Sequence, residues 1–409
     1  MRRVVVTGMG IVSCMGNNQE KVLQSLRDCR SGLQVVPEMK ELGYKCPVAG
    51  LVKELNPEAI GKKFLQTMSE PARYAAVAAL EALRDARLPV ETLRTNRAGV
   101  VVGTGAGGAN DAATAETVLL ARKNPARIGA TGVVRIMSST AALNLAAWLG
   151  VKGRCYAVSS ACCTGTDSIG HGFELIRYGL LDVCICGGAE GSGWRHGWAF
   201  GDASGVMPSA LSEQPDKVCC PFDRNRQGMV ASEGAGILIL ESLEHATHRN
   251  APVIGEVIGY GSANDGEGMF EPKGTGLTRA IMQALQIAAE AQGVVNVDYI
   301  NPHGAGTKIG DPVEVQVIRQ LFGDPSPLVS STKPLNGHAQ GAAGAHEAIF
   351  TLLMLKHGFV VPTLNLEQVA PECAGVRHVL SPLEIPLRMV MTFNAGLGGT
   401  NACLIFKRL

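Results

Sequence analysis

Short apolar runs alternate along this chain with longer stretches in which apolar residues return at helical spacing. Residues 4–7, 98–102, 183–186 and 236–240 have the length and composition of buried strands. Between them, 69–87 and 139–149 carry helical spacing on alanine-rich faces that permit close packing. A charged stretch, 241–250, predicts a helix that ends the first half. The pattern then restarts with a strand at 253–261, a helix at 278–292, a strand at 299–301, an apolar helix at 348–355 and a last strand at 402–406. Such alternation predicts an α/β protein. A boundary near Asn250 divides it into 1–250 and 251–409, unequal halves of similar pattern, without a short-period repeat or a low-complexity tract.

At 409 residues, 46% of them apolar, the chain is long enough for two domains or one large double-layered unit. A formal charge of +1 gives no electrostatic reason to expect a nucleic-acid or membrane-surface partner. The 50 glycines cluster at 103–108, 187–191, 341–344 and 396–399, which points to tight turns and close backbone approach around a site. Of the twelve cysteines, Cys155, Cys184, Cys186 and Cys403 lie inside apolar runs, where a free thiol behaves as a small hydrophobe. The first residues pass directly into a strand pattern without a signal-peptide core, and no apolar run is long enough to span a bilayer. These features predict a cytoplasmic protein with reduced thiols.

Candidate chemistry concentrates at glycine-flanked turns. The apolar run from Cys155 to Val158 leads into Ser159, Ser160, Ala161 and Cys162, and helical spacing follows. Cys162 is thereby expected on a turn between a buried strand and a helix start, where unpaired N–H groups and the helix dipole stabilise a thiolate. Cys163 is expected to face the core. His303 follows a short strand and precedes Gly304, Gly306 and Thr307; His338 lies five residues after Lys333 and just before the 341–344 glycines. A thiol nucleophile with two imidazoles suits acyl transfer. His171, His245, His248, His357 and His378 sit in helical or surface contexts and read as structural. The glycine-rich stretch 394–401 could turn an N–H toward a developing oxyanion. Cys184-Ile185-Cys186 has no further ligand at metal spacing, and the 103–108 glycines lack the context of a dinucleotide fingerprint. Neither a metal nor a dinucleotide is expected.

Several ordered motifs together resemble those of the β-ketoacyl-acyl-carrier-protein synthases of the elongating type I/II class, with features of type II polyketide and polyene ketosynthases. They are the opening Val-Val-Val-Thr-Gly-Met-Gly (4–10), Ser-Ser-Ala-Cys (159–162), His303-Gly304, Gly310-Asp311 with Glu314, Lys333 through Gly344, and the closing Gly398-Gly399-Thr400-Asn401-Ala402. The resemblance covers essentially the whole chain. It implies a thiolase-like α/β fold of two αβαβα halves with mixed central sheets, the first carrying the nucleophile and the second the two histidines. It also implies assembly as a homodimer, or as a heterodimer with a chain-length-factor-like ketosynthase. By the same resemblance Cys162 accepts an acyl chain from the phosphopantetheine of an acyl carrier protein, and His303 and His338 promote decarboxylation of malonyl-carrier protein. The N–H groups of Cys162 and Leu397 form the oxyanion hole. Lys333, held by Glu347, tunes the site; Asp311 and Glu314 support it; Thr307 and Ala305 border the pantetheine; Leu397, Ala395 and Met229 form the gate. Lys62, Lys63, Arg122, Lys123 and Arg127 fall where the family has its basic carrier-docking surface, which would steer an acidic partner. No cofactor beyond the carrier-bound substrates is implied.

Departures from the family pattern bear on the substrate. The turn after His303 reads Gly304-Ala305-Gly306-Thr307, one hydroxyl fewer than the fatty-acid enzymes usually carry. Lys308 and Pro371-Glu372-Cys373 are similar to polyketide ketosynthases. Ala395-Gly396-Leu397 replaces a usual Phe-Gly-Phe, and Met229 stands where phenylalanine is common. Aliphatic side chains there would widen or soften the gate to an acyl pocket that Gly107 and Gly108 border. The implied reaction is two-carbon extension by decarboxylative Claisen condensation in fatty-acid or polyene/polyketide synthesis. The alternative is a type II polyketide subunit that acts only with a chain-length-factor partner. A thiolase-like acyltransferase using coenzyme A would carry a second cysteine near the C-terminal turn, and an inactive chain-length factor would lack the cysteine or the histidines. A cysteine hydrolase would need an orienting Asn or Asp for one imidazole, which the sequence does not single out.

Overall fold

The structure, a computed structural model, describes residues 1–193, 197–209 and 214–409. Eleven strands form its central mixed sheet: β1 Val4–Val12, β2 Ala98–Gly103, β3 Cys155–Tyr156, β4 Val183–Glu190, β5 Gly234–Ser242, β6 Gly255–Asn264, β7 Tyr299–Asn301, β8 Leu328–Val329, β9 Arg377–His378, β10 Met389–Gly396 and β11 Thr400–Lys407. They lie in the order β3-β2-β4-β5-β1-β6-β11-β10-β7-β8-β9. From the centre outward both halves follow one plan. The run β1-β5-β4-β2-β3 pairs antiparallel, antiparallel, parallel, parallel. The run β6-β11-β10-β7-β8 repeats that series of pairings. The two sets join where β1 meets β6 antiparallel, Val4 opposite Val257 and Val6 opposite Gly255.

Seven helices matter for the site: α1 Glu70–Asp85, α2 Ala109–Arg122, α3 Thr140–Leu149, α4 Thr164–Arg177, α5 Thr275–Gln292, α6 Gly310–Phe322 and α7 Ala343–His357. The helices α4 and α7 pack on each other and on strands of both halves, so α7 is buried from Ala343 to Leu355 and apolar nearly all round. On the outer faces, α1 and α3 cover the first strand set, and α5 with α6 covers the second. The five layers α, β, α, β, α therefore belong to the pair of halves, which share the central helix layer. The outer helices sit very close to their strands for a local reason. A Cβ at Gly8 or Gly10 of β1 would lie 2.1 or 1.9 Å from the carbonyl oxygens of Ala82 and Ala78 in α1. A Cβ at Gly259 or Gly261 of β6 would lie 2.3 or 2.0 Å from those of Ala284 and Ala280 in α5. Paired glycines in the strand and alanines on the helix are what permit that approach.

Two expected elements change. The apolar run before Cys162 is a strand only over Cys155–Tyr156, and it is half-buried because it forms the sheet's edge, with β2 on one side alone. The charged stretch 241–250 shrinks to a helix at Leu243–His248. Glu241 belongs instead to β5, wholly buried, because Arg249 and His245 pair with its carboxylate and hold it at about 2. Among the described residues no helix is long and apolar enough to cross a membrane.

Candidate active site

The edge strand β3 ends four residues short of a tight 3-10 turn, Ala161–Cys163, that runs directly into α4. Ala161 is held at φ 51°, a conformation that costs a non-glycine residue energy and that the surrounding contacts must impose. The turn leaves Cys162 half-buried and buries Cys163, whose Sγ reaches the carbonyl oxygens of Asn394 and Thr400 at 3.3 Å. Cys163 is thus the structural neighbour that the sequence indicates.

His303 and His338 converge on the same spot from the second half. One ligating atom of each ring and the Cys162 sulfur lie within 4.8 Å of one another, and the rings meet edge-on with centroids 4.9 Å apart. His338 Nδ1 accepts the Gln340 N–H at 3.0 Å, and His303 Nδ1 lies 3.2 Å from the Asn394 amide nitrogen. Both contacts come from donors, which puts the proton of each neutral ring on Nε2. Burial and the Lys333 ammonium hold both imidazoles well below their ordinary pKa, so they are neutral donors at physiological pH.

A buried network fixes these rings. Lys333 Nζ donates to the His303 carbonyl oxygen and to the Glu347 carboxylate. The other Glu347 oxygen accepts from the Asn394 amide at 2.6 Å, and Thr166 of α4 donates to the Asn394 carbonyl at 2.5 Å. His338 is anchored by backbone bonds, its N–H to the Val230 carbonyl at 2.7 Å and its carbonyl to the Ser232 N–H. The turn after His303 is wrapped by two carboxylates of the α6 segment. Asp311 accepts the N–H groups of Gly306, Thr307 and Phe222, and Glu314 accepts that of Gly304 at 2.8 Å.

The sulfur does not have the character that a helix start suggests. Burial pushes the Cys162 thiol up to about 11, although Lys333 and the Leu397 N–H both act to lower it. Desolvation therefore outweighs both, and the resting group is a thiol. The Leu397 N–H nevertheless points at this sulfur from the turn between β10 and β11, as an oxyanion donor beside Cys162 must.

The remaining sequence candidates fall in different places. Ala305 is buried in the turn after His303, and Thr307 Oγ1 accepts the Gly310 N–H at 3.1 Å. Ala395 pairs with Asn401 in the β10–β11 hairpin, and Leu397 is 54% exposed at its tip. Met229 packs with Trp198 and Met207, next in chain to the Val230 that anchors His338. Lys62, Lys63, Arg122, Lys123 and Arg127 are all exposed. Gly107 and Gly108 line a small cavity of about 70 Å³ together with Glu70, Glu190 and Gln340. The sequence reading passed over Glu190 and the role of Asn394. A charged residue closing an apolar strand run was the available signal for the first; nothing local marked the second. Cys162, His303 and His338 also match the donor types of a soft-metal site, the only such trio of ligating groups found among the described residues.

This arrangement can take up an acyl group on sulfur and stabilise negative charge on oxygen beside it. Comparison with known proteins gives it a family. Residues 1–246 match the model of the beta-ketoacyl synthase N-terminal domain, and 254–367 match that of the C-terminal domain. A 3-oxoacyl-[acyl-carrier-protein] synthase 1 of Haemophilus influenzae is 41% identical over 100% of this chain and 99% of its own. Among solved structures, the ishigamide ketosynthase/chain length factor superposes with a TM-score of 0.90 at 33% identity, covering 100% of this chain and 99% of its own. A type II polyketide ketosynthase bound to the hexaketide, in complex with its acyl-carrier protein, also reaches 0.90, at 29% identity and full coverage of both chains. With its thiolase-like fold and its cysteine and two histidines in one pocket, this chain belongs to the beta-ketoacyl synthase family.

Proposed function

We propose that the protein is a β-ketoacyl-acyl-carrier-protein synthase that extends a carrier-bound acyl chain by two carbons. The observation that carries this reading is the convergence of the Cys162 sulfur and one nitrogen of each of His303 and His338 within 4.8 Å, with the Leu397 N–H on the sulfur. In the first step Cys162 attacks the acyl thioester. The bond from the acyl carbon to the carrier sulfur breaks, and the thiol proton leaves with that sulfur. The N–H groups of Cys162 and Leu397 hold the transient oxyanion. In the second step malonyl-carrier protein loses CO2, and the electron pair of the broken bond forms an enolate whose oxygen accepts from Nε2–H of His303 and His338. The enolate carbon attacks the acyl-Cys162 carbonyl, the Cys162 thiolate departs, and it recovers a proton from water. Neutral histidines suit this role, because they donate hydrogen bonds without protonating the enolate. As written, the reaction calls on no redox cofactor or metal.

Partner and location follow the same reading. The exposed Lys62, Lys63, Arg122, Lys123 and Arg127 are the candidate contacts for an acidic carrier protein. Helix α2 has no buried residue, and Leu120 within it and Val133 after it are 68% and 61% exposed. This apolar face is read as the seat of a second ketosynthase subunit. Twelve unpaired cysteines fit the reducing cytosol. A second reading, a polyketide or polyene subunit obligately paired with a chain-length factor, draws on the ketosynthase/chain length factor neighbour and on the aliphatic gate.

Intact-mass analysis with acyl- and malonyl-carrier proteins tests the proposal. The protein should gain the acyl mass and release a product two carbons longer, and Cys162→Ala should do neither. Acylation that persists in Cys162→Ala would remove the nucleophile from the reading. Condensation that appears only when a second ketosynthase subunit is added would select the obligate heterodimer.

A further inference from the structure

We infer that Asp167 is a positioning residue for the nucleophile turn, acting with Tyr260 from the other half of the molecule. The inference rests on the acyl-transfer reading of Cys162 and assigns a group which that reaction does not itself use. Asp167 lies on α4, five residues after Cys162, and is 5% exposed. Its Oδ2 accepts the Ser160 hydroxyl at 2.5 Å and its Oδ1 accepts the Tyr260 hydroxyl at 2.8 Å. It forms no ion pair among the described residues. A buried carboxylate held only by two hydroxyls is costly unless both are kept in place, so the arrangement couples their positions.

The fold makes room for this contact. Tyr260 comes from β6, and its ring lies across α4 directly over Gly170. A Cβ at Gly170 would sit 2.1 to 2.3 Å from ring carbons. A glycine one turn beyond Asp167 is thus what lets the phenol of the second half reach a carboxylate of the first.

Ser160 is the residue through which the contact acts. Its N–H donates to Thr164 Oγ1 at 2.9 Å, and its carbonyl accepts from the Cys163 N–H at 3.0 Å and Thr400 Oγ1 at 3.2 Å. With the side chain held by Asp167, every polar group of Ser160 is engaged. The next residue is Ala161 at φ 51°, and the next N–H is that of Cys162. Fixing Ser160 therefore aims the Cys162 N–H, one of the two oxyanion donors. An aimed N–H matters for attack on a thioester, which builds charge on oxygen, and not for alkylation of the same sulfur by iodoacetamide, which builds none there.

The test compares Asp167→Ala, Asp167→Asn and Tyr260→Phe with the wild-type full chain in three readouts. These are the rate of Cys162 acylation by acyl-carrier protein, the rate of its alkylation by iodoacetamide, and hydrogen exchange of the peptide spanning 159–163. Asp167→Ala should slow acylation by about tenfold or more, keep alkylation within about twofold, and raise exchange in that peptide. Asp167→Asn can accept from the phenol and donate to the Ser160 hydroxyl, so it should recover most of the acylation rate. Tyr260→Phe should give an intermediate loss, and it serves as the readout if Asp167→Ala does not fold. Acylation unchanged in both Asp167→Ala and Tyr260→Phe, or acylation and alkylation falling together, would overturn the inference. Raised exchange at 159–163 in a protein whose wild type accepts no acyl group would instead sink the acyl-transfer reading and leave the positioning contact standing.

Discussion

The two halves build the same backbone turn and use it for opposite ends. In the first, Ala161 at φ 51° precedes Cys162 and the central helix α4; in the second, Gln340 at φ 48° precedes Gly341 and the central helix α7. Each turn is met by strand ends and loops of the other half. Around Cys162 these loops offer His303 and the N–H of Leu397. Around Gly341 they offer Glu190, whose carboxylate accepts the N–H groups of Gly105, Ala106 and Gly341 at 2.8, 3.2 and 3.0 Å. A side chain at Gly341 has no room, since its Cβ would lie 2.5 Å from the Gly105 nitrogen. The N–H groups that the proposed reaction turns on a developing oxyanion on one side have their counterpart on the other filled by a resident carboxyl group. Geometry of the turn is thus not sufficient for catalysis. What differs is what the donors meet in the resting state, a thiol on one side and a carboxyl group on the other.

The largest test of this contrast removes the donors on the Cys162 side. His303→Ala and His338→Ala should each lower the condensation rate by about 10²- to 10³-fold while leaving acylation of Cys162 far less affected. Single-turnover assays starting from the acyl-enzyme separate the two steps, and equal losses in both would show that the histidines act on the nucleophile instead. On the filled side, burial pushes the Glu190 carboxyl up from 4.5 to about 7 against the three N–H groups that lower it. The folded protein then holds this proton more tightly than the unfolded chain does. Its contribution to stability falls as pH rises from 4.5 to 7 and is level above that range. The descent amounts to about 3 kcal/mol, and Glu190→Gln should flatten it by that order in urea denaturation run at about pH 5 and about pH 8. Parallel pH profiles for the variant and the wild type would mean that Glu190 is ionised throughout. The smallest effect is expected from Gly341→Ala, a loss of about 2 kcal/mol from overpacking against the Gly105 backbone and Glu190. Acylation of Cys162 should survive it; a variant as stable as wild type would mean that the filled nest can open.

The repeat behind this comparison was only half legible in the sequence. Halves of similar pattern were visible, but their equivalence lies in strand order and pairing sense, which period and composition do not carry. Gly8 and Gly10 against an alanine-rich helix, repeated as Gly259 and Gly261, were the trace it left. The thiol shows a different limit. A helix start argues for a thiolate, because the dipole is a local property. The value of about 11 reflects burial of the sulfur, a property of the packed structure.

The family resemblance supplied the support from Lys333 and Glu347; the sequence by itself determined the alternation of strands and helices and the candidates Cys162, His303 and His338 at glycine-flanked turns. These follow from local spacing and from motifs in which residue type and turn chemistry coincide. Only the tertiary structure decided that Asn394 sets the His303 tautomer, that Asp167 reaches Tyr260 across the halves, and that Glu190 fills the second nest. Each of those depends on which strand ends meet in space. Hydrogen bonds and desolvation act over a few ångströms, and the groups they join here are separated by 91 to 151 residues of chain.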